Sequence, residues 1–511
     1  MTMKKYIILF LIGPLLSQDY SWPTGTGKHL SSNFGEFRTT GYHLGIDVKT
    51  KGTEGHPIYA IDDGYIFRVV TNFSGFGKAI YFKLNDGKIA VYAHLSKFSP
   101  QLEERLKEEQ SKAQSYVTNF YLKKGEFSYL KNDIIAFSGN TGFSFGPHLH
   151  FELRDEKGNI LNPLTNGISQ PDRIAPIVEE VGITPLSKDS WINGGQLPQN
   201  FPVFRDKKGE YHLADTINAF GKIGLSIKTY DRREGANNKY QPHRVEVFLN
   251  DKLYHNLEFE QLDYGLQSTA NFINDYRNSR LNLGNFIKLY KNFGDPYVPI
   301  HSQESDGTLE LNKGYHRIKI LIHDAKGNIR IVRGTLFYMN PFQIDVSKVK
   351  ESSSAISFLL QPKSIAIPIK SAVVYSFTAF GFADEGLKIL SQERIETGLI
   401  VTLKKDKVKR RALQFIAQND IGTISNPAHW LDSNISGDHL TFDVDLDISQ
   451  TDGGVYIQIQ TEKVIDKKLS LRIKGDLQYK TIPINQIQPS VFLSAPLQPK
   501  EFESINQIEA I

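Results

Sequence analysis

The sequence predicts an all-β protein: an antiparallel β-sheet domain carrying one inserted helix, followed by β-sandwich regions. Three observations predict it. Short apolar runs broken by Gly and Asp-Gly turns fill residues 22–164. A single stretch opening at Ser99-Pro100 switches to helical spacing. From about Pro171 the runs become longer and alternate cleanly. At 511 residues the chain exceeds what one hydrophobic core can hold, so about three domains are expected. The texture divides it into 1–17, 18–170, 171–344 and 345–511, the last divisible into two modules.

The first segment reads as a targeting sequence. Lys4 and Lys5 precede an apolar run over residues 6–16, followed by Ser17-Gln18-Asp19. The run is shorter than the ~20 residues a spanning helix needs, so a secretory signal cut near Ser17 is expected. An uncleaved anchor is the alternative. The chain has no cysteine, which rules out lipid attachment through one, disulfides and thiolate ligands. Any metal must be held by His, Asp or Glu. A net charge of only +4 without a Lys/Arg block argues against nucleic acid, while a mildly basic surface suits an anionic polymer.

Within 18–170, the run 57–61 meets Asp62-Asp63-Gly64 before 65–70, and 78–84 meets Asn85-Asp86-Gly87 before 89–94. Both read as hairpins. Ser99 and Pro100 then start a helix expected over 100–118, with Leu102, Leu106 and Ala113 on one side and Glu103 four residues before Lys107. It is either a solvated surface helix or the wall of a groove. Beyond 171, residues 244–249 and 317–322 alternate as sandwich strands, and 323–328 turns the chain into 329–332. Residues 264–293 read as a polar loop or insertion. The run 455–460 alternates in the last region.

The chemistry concentrates in the first β region. In Gly146-Pro147-His148-Leu149-His150-Phe151-Glu152, a strand would turn His148 and His150 to one face and Leu149 and Phe151 to the core. His43 and Asp47, four residues apart, share a face on either a strand or a helix. With His150 they would supply two nitrogens and one oxygen, a set that suits Zn²⁺ and leaves a fourth position open. His94 ends the run 89–94. Taken singly, each histidine is more simply a satisfied core residue, and His43 with Asp47 a hydrogen-bonded pair. His29 and His56 fit no pattern. His212, His243, His255, His301, His316, His323, His429 and His439 are scattered and unpaired in sequence. Glu152 shares the face of His148 and His150, either orienting one of them or forming a salt bridge. Gly139, Gly142 and Gly146 either admit a substrate backbone or serve turn geometry.

A succession of motifs then resembles one family. Asn33-Phe34-Gly35-Glu36-Phe37-Arg38, His43-x-x-x-Asp47, Tyr59-Ala60 with Asp63-Gly64, Tyr92-Ala93-His94-Leu95, Ser138-Gly139-Asn140-Thr141-Gly142 and 146–152 follow in order the pattern of the lysostaphin-type (LytM-domain) zinc endopeptidases. The likeness covers residues 30–165 and is greatest to the secreted branch whose core is followed by β-sandwich regions. It implies His43, Asp47 and His150 as zinc ligands, and His94 and His148 as catalytic. It implies a small antiparallel sheet with a long groove, one Zn²⁺, and hydrolysis of peptide cross-links in peptidoglycan by a secreted or periplasmic protein. A non-catalytic cell-wall binding or amidase-activating protein on the same fold is the rival reading. The C-terminal β regions are expected to bind a partner or act as spacers. Asn33 stands where some latent relatives carry an asparagine on the zinc, and its role is left open.

Overall fold

The computed structural model describes residues 19–511 except 39–40, 188–189, 292–299, 301–304, 365–367, 379–382, 410, 433–443, 452, 466–468, 476–478, 506 and 511. The expected signal at 1–17 lies outside the described residues, as do His301 and His439.

The N-terminal unit is built on one antiparallel sheet. Its strands run in the order Leu30–Ser32, Ile46–Lys49, His148–Arg154, Ile89–Phe98, Lys78–Leu84, Gly64–Thr71 and Ser128–Tyr129. The core beneath collects Ile46, Val48, Phe82, Tyr92, Leu149 and Phe151, all at 0% exposure. These are the alternate residues of their strands, which leaves Asp47, His148 and His150 for the other face.

Two local expectations are corrected. Asn85-Asp86-Gly87 does close a hairpin between Lys78–Leu84 and Ile89–Phe98. Asp62-Asp63-Gly64 does not, because Pro57–Tyr59 pairs with Ile134–Ser138 while Gly64–Thr71 pairs with Lys78–Leu84. That turn is a corner between two ladders, held by the Lys131 N–H donating to the Asp63 carboxylate at 2.8 Å. The helix is Pro100–Ala113, ending before 118. Gln114 takes a left-handed φ of 48°, and the Ser115 N–H donates back to the Gln110 carbonyl, which closes the last turn. Thr118 is claimed by a strand, Thr118–Tyr121, paired to Gly64–Thr71. Leu102 and Leu106 are buried as expected, but Ala113 is exposed. Glu103 turns to Lys78 at 2.7 Å and to the Phe98 N–H, where the spacing offered Lys107.

The second unit carries an 11-stranded arrangement whose main path runs from Lys252–Glu258 to Ile287–Lys288. Gly314–His323 and Ile329–Tyr338 form the hairpin read from residues 317–332. Residues 264–293 are not a plain loop: a 3₁₀ turn, Tyr264–Thr269, and two short helices, Ala270–Ile273 and Tyr276–Arg280, occupy them. Asp263 and Asp275 cap these turns through their carboxylates, which is why a polar stretch can be ordered. Beyond 344 the described residues form two larger cores, one around Phe358 and Phe415 and one around Ile457 and Leu471, with a small cluster of Phe377, Ala412 and Val464 besides.

The first two units interlock. Tyr240 lies in the core of the N-terminal sheet, 2% exposed, its hydroxyl donating to the Leu30 carbonyl at 2.8 Å. In return Phe34, Tyr42, Leu44 and Ile160 belong to the core of the second unit. Gln261–Leu262 pairs with Ile160–Leu161, so the N-terminal sheet is itself extended by a strand from beyond 171.

Candidate active site and metal centre

Sheet register assembles the site. Asp47 lies opposite His150, and His150 lies opposite Ala93. The three ligand atoms meet in a triangle. His43 Nε2 is 3.0 Å from Asp47 Oδ1 and 3.1 Å from His150 Nδ1, and His150 Nδ1 is 2.9 Å from Asp47 Oδ1. All three residues are buried. Donors about 2.0–2.1 Å from a tetrahedral centre lie roughly 3.3 Å apart, so this triangle nearly has the shape a zinc ion requires. The two nitrogens and one oxygen also suit that ion chemically.

Each ligand is oriented by a partner on its far side. His43 Nδ1 donates to the Asn33 carbonyl at 2.8 Å, with Ser32 Oγ at 3.0 Å, leaving Nε2 its lone pair. His150 Nε2 donates to Glu152 Oε1 at 3.1 Å, leaving Nδ1 free. Glu152 therefore does both things read from the sequence: its second oxygen accepts from Arg154 Nε at 2.8 Å. Asp47 gives its second oxygen to Arg38 Nη2 at 2.7 Å.

The electrostatics follow from this wiring. Burial opposes the charged form of Asp47, but His43, His148 and His150 outweigh it and hold the carboxyl well below the usual range. Burial likewise opposes an imidazolium at His150. Its bonds to Asp47 and Glu152 prevail and raise it to about 9, so in the metal-free chain a proton sits where a cation would. Glu152 is itself buried, which opposes ionisation, yet His150 and Arg154 keep it below its ordinary value.

His94 and His148 flank the triangle, their rings 4.8 Å apart and His94 5.8 Å from His150. His148 Nδ1 donates to the Gly146 carbonyl and His94 Nδ1 to the Thr141 carbonyl, both at 2.8 Å. His148 Nε2 is 3.6 Å from Asp47 Oδ1. Burial, with His150 and His148 as neighbours, pushes His94 down to about 4, so it is neutral at neutral pH. His94 does not end its strand. Leu95 pairs with Lys78 and Tyr92 with Ile80, so one extra residue sits between the pairs. This bulge, with His94 at φ 58°, interrupts the alternation. Tyr92 and Leu95 both join the core, and His94 is turned to the histidine cluster.

Other expectations resolve here. His29 and His56 lie outside the cluster. Both functional groups of the Asn33 side chain are taken by the Gln241 backbone, at 2.7 and 2.9 Å. Gly142, at φ 75°, would drive a Cβ to 2.3 Å from the Gly77 nitrogen, and Gly139 one to 2.3 Å from the Ser96 nitrogen. These two serve internal packing, whereas Gly146 has open space above it. Phe143 and Phe145 flank Ser144, whose hydroxyl lies 3.2 Å from His148 Nδ1, and with Phe73 they stand 70%, 95% and 75% exposed. The histidines beyond 171 are not all unpaired: His323 meets Glu246 at 2.7 Å and His212 meets Asp206 at 3.0 Å, partners that strand and turn geometry brings together. Arg38, Ser32 and Thr141 were missed as site residues. Arg38 was findable, since a buried carboxylate demands a cation.

The N-terminal part of the chain is similar to known peptidases. Residues 41–123 match the profile of Peptidase family M23, a span that holds His43, Asp47 and His94 and stops short of His148. The DD-carboxypeptidase/endopeptidase Mpg of Neisseria meningitidis serogroup B (strain MC58) is 29% identical over 163 residues, covering 32% of this chain and 30% of that protein. The glycyl-glycine endopeptidase ALE-1 of Staphylococcus capitis is 31% identical over 178 residues, covering 34% of this chain and 40% of that protein. The chain thus spans well under half the length of these relatives. The crystallised catalytic domain of lysostaphin from Staphylococcus simulans is 25% identical, covers 27% of this chain and 90% of that domain, and has a TM-score of 0.20. The N-terminal part of this chain carries a lysostaphin-type domain of peptidase family M23.

Proposed function

We propose that this chain is a zinc-dependent endopeptidase that hydrolyses the peptide cross-links of bacterial peptidoglycan in the cell envelope. The observation that carries the reading is the triangle of His43 Nε2, Asp47 Oδ1 and His150 Nδ1, with His94 and His148 beside it. In this reading His43, Asp47 and His150 hold one Zn²⁺. When bound, the ion supplies Lewis acidity toward a scissile carbonyl and acidifies water.

The remaining work falls to the chain's own groups. His94 and His148 each spend the Nδ1 proton on a backbone carbonyl, so each offers Nε2 to the reaction. His94, held neutral by burial, accepts the water's proton at Nε2. That proton passes on to the leaving amine, with Nε2 of His148, the more exposed of the two, as a second relay site between water and amine. The exposed Phe143 and Phe145 and the open space at Gly146 provide the approach for an extended peptide. A non-catalytic wall-binding protein has no need of this complete set of ligands, partners and flanking histidines.

The test is digestion of purified sacculi by the full chain, with mass spectrometry of the released fragments. Peptides cut at D-Ala–diaminopimelate or within glycine bridges are expected, and their masses identify the bond. Undiminished release by a His150→Ala variant, or no release by zinc-loaded wild type, would sink the assignment.

A further inference from the structure

We propose that Asp172, Asp231 and Asp324 hold one calcium ion at the junction between the M23 domain and the unit that follows it. The three residues come from separate stretches: the connection after Ile160–Leu161, the end of strand Ile223–Tyr230, and the turn between Gly314–His323 and Ile329–Tyr338. One carboxylate oxygen from each lies within 4.8 Å of the others.

Proximity of acids alone would mean little. The independent observation is that Asp172 Oδ2 and Asp231 Oδ2 are buried with no hydrogen-bond partner. Both side chains are 0% exposed. Their other oxygens are occupied, Asp172 Oδ1 by the Ile174 N–H at 3.0 Å and Asp231 Oδ1 by the Arg232 N–H at 2.8 Å. Asp324 is pinned by the Lys326 and Asn328 N–H groups and by the Asn328 amide. Two buried carboxylate oxygens thus stand without a hydrogen bond beside a third acid, where buried polar atoms are nearly always satisfied.

Arg233 is the obvious counter-ion, and its geometry falls short. Its Nε lies 3.8 Å from Asp172 and 3.6 Å from Asp231, beyond hydrogen-bond reach, and is itself without a partner. Its Nη1 donates to Gln170 at 3.0 Å instead. One guanidinium faces three carboxylates, with Glu234 close by on the Arg173 N–H. The shortage of positive charge is visible in the acids: burial pushes Asp231 up to about 8 and Asp172 to about 6.

The donor set selects the cation. Three carboxylates without nitrogen or sulfur call for a hard ion rather than zinc. Mg²⁺ insists on a near-ideal octahedron at about 2.0–2.1 Å, whereas Ca²⁺ takes oxygens at about 2.3–2.6 Å in irregular cages and so suits carboxylate oxygens spread over up to 4.8 Å. Its place gives it a task. Asp231 pairs with Tyr240 across the neck of the loop that carries Tyr240 and Gln241 into the M23 domain. Calcium here would clamp that loop to the linker and to the 323–328 turn.

The experiment uses the full chain, stripped of metal and reloaded with a stoichiometric amount of zinc. Calcium is then titrated to millimolar concentration by calorimetry, with thermal unfolding read in parallel. One calcium per chain and a rise in Tm of several degrees are expected for the wild type, with Mg²⁺ giving neither. Asp231→Asn should abolish both while its calcium-free Tm equals or exceeds that of the wild type, because a buried unpaired acid has been neutralised. Should that variant fail to fold, Asp172→Asn serves the same purpose. Absence of calcium heat in the wild type, or an unchanged Tm response in a folded Asn variant, would overturn the proposal and leave a proton on Asp231 as the structure's solution.

Discussion

His148 and His150 stand two residues apart on one strand, yet they meet Asp47 differently. His150 Nδ1 is 2.9 Å from Asp47 Oδ1, while His148 Nε2 stays at 3.6 Å from the same atom. Zinc analysis of two variants checks this: His150→Ala should lose the metal, whereas His148→Ala should keep it and lose ~10²–10⁴-fold in turnover. Glu152 acts one step further out. Because it orients His150 while Arg154 keeps it ionised, Glu152→Gln should lower zinc affinity roughly 10–100-fold in a folded protein, measured by competition with a chelating dye. At this scale much was legible. Strand alternation put His148 and His150 on one face and spacing paired His43 with Asp47, while His94 joined them only through the family resemblance. Arg38 and the backbone carbonyls of Asn33, Thr141 and Gly146 were not legible, because a hydrogen-bond partner leaves no periodicity in the sequence.

Secondary elements carry what alternation cannot express. The bulge at His94 adds one residue to its strand and turns a side chain that strict alternation would have sent into the core. Nothing in Tyr92-Ala93-His94-Leu95 announces it, since a β-bulge is a property of the pairing with Lys78 and Ile80 rather than of the strand alone. The helix shows the converse. Its start was written in Ser99-Pro100, but its end lies in a left-handed Gln114, a residue type with no strong preference for that role. The loop at 240–241 is the element with the longest reach. It holds Asn33 through two backbone hydrogen bonds, and the Asn33 carbonyl holds His43. Tyr240→Ala should therefore cost roughly 3–5 kcal/mol in denaturant unfolding. It should also weaken zinc binding although residue 240 touches no ligand.

For the whole molecule, the M23 domain and the 11-stranded unit that follows it are two halves of one packing arrangement. A chain cut after residue 170 loses Tyr240 from its core and uncovers Phe34, Tyr42, Leu44 and Ile160. It should be recovered insoluble, or soluble with reduced zinc occupancy, as solubility and metal content will show. Acid should weaken the intact molecule through its buried neutral histidines. Burial depresses His255 from 6.5 to about 4, so between those values the unfolded chain binds the extra proton. Stability present above pH 6.5 is thus lost as pH falls toward 4, by up to ~3 kcal/mol from this residue. Denaturant titrations of wild type and His255→Gln across that window should show the difference. The general all-β plan could be read from turn signals and alternation. The interlock could not, because it joins residues about 200 positions apart. That separation also has a consequence in time. As the chain emerges from the ribosome, the first 170 residues appear with an apolar face bare and His43 lacking its distant support. The cluster of His43, Asp47 and His150 is finished only once residue 241 has followed, so the order of synthesis itself sets when the site can first take its shape.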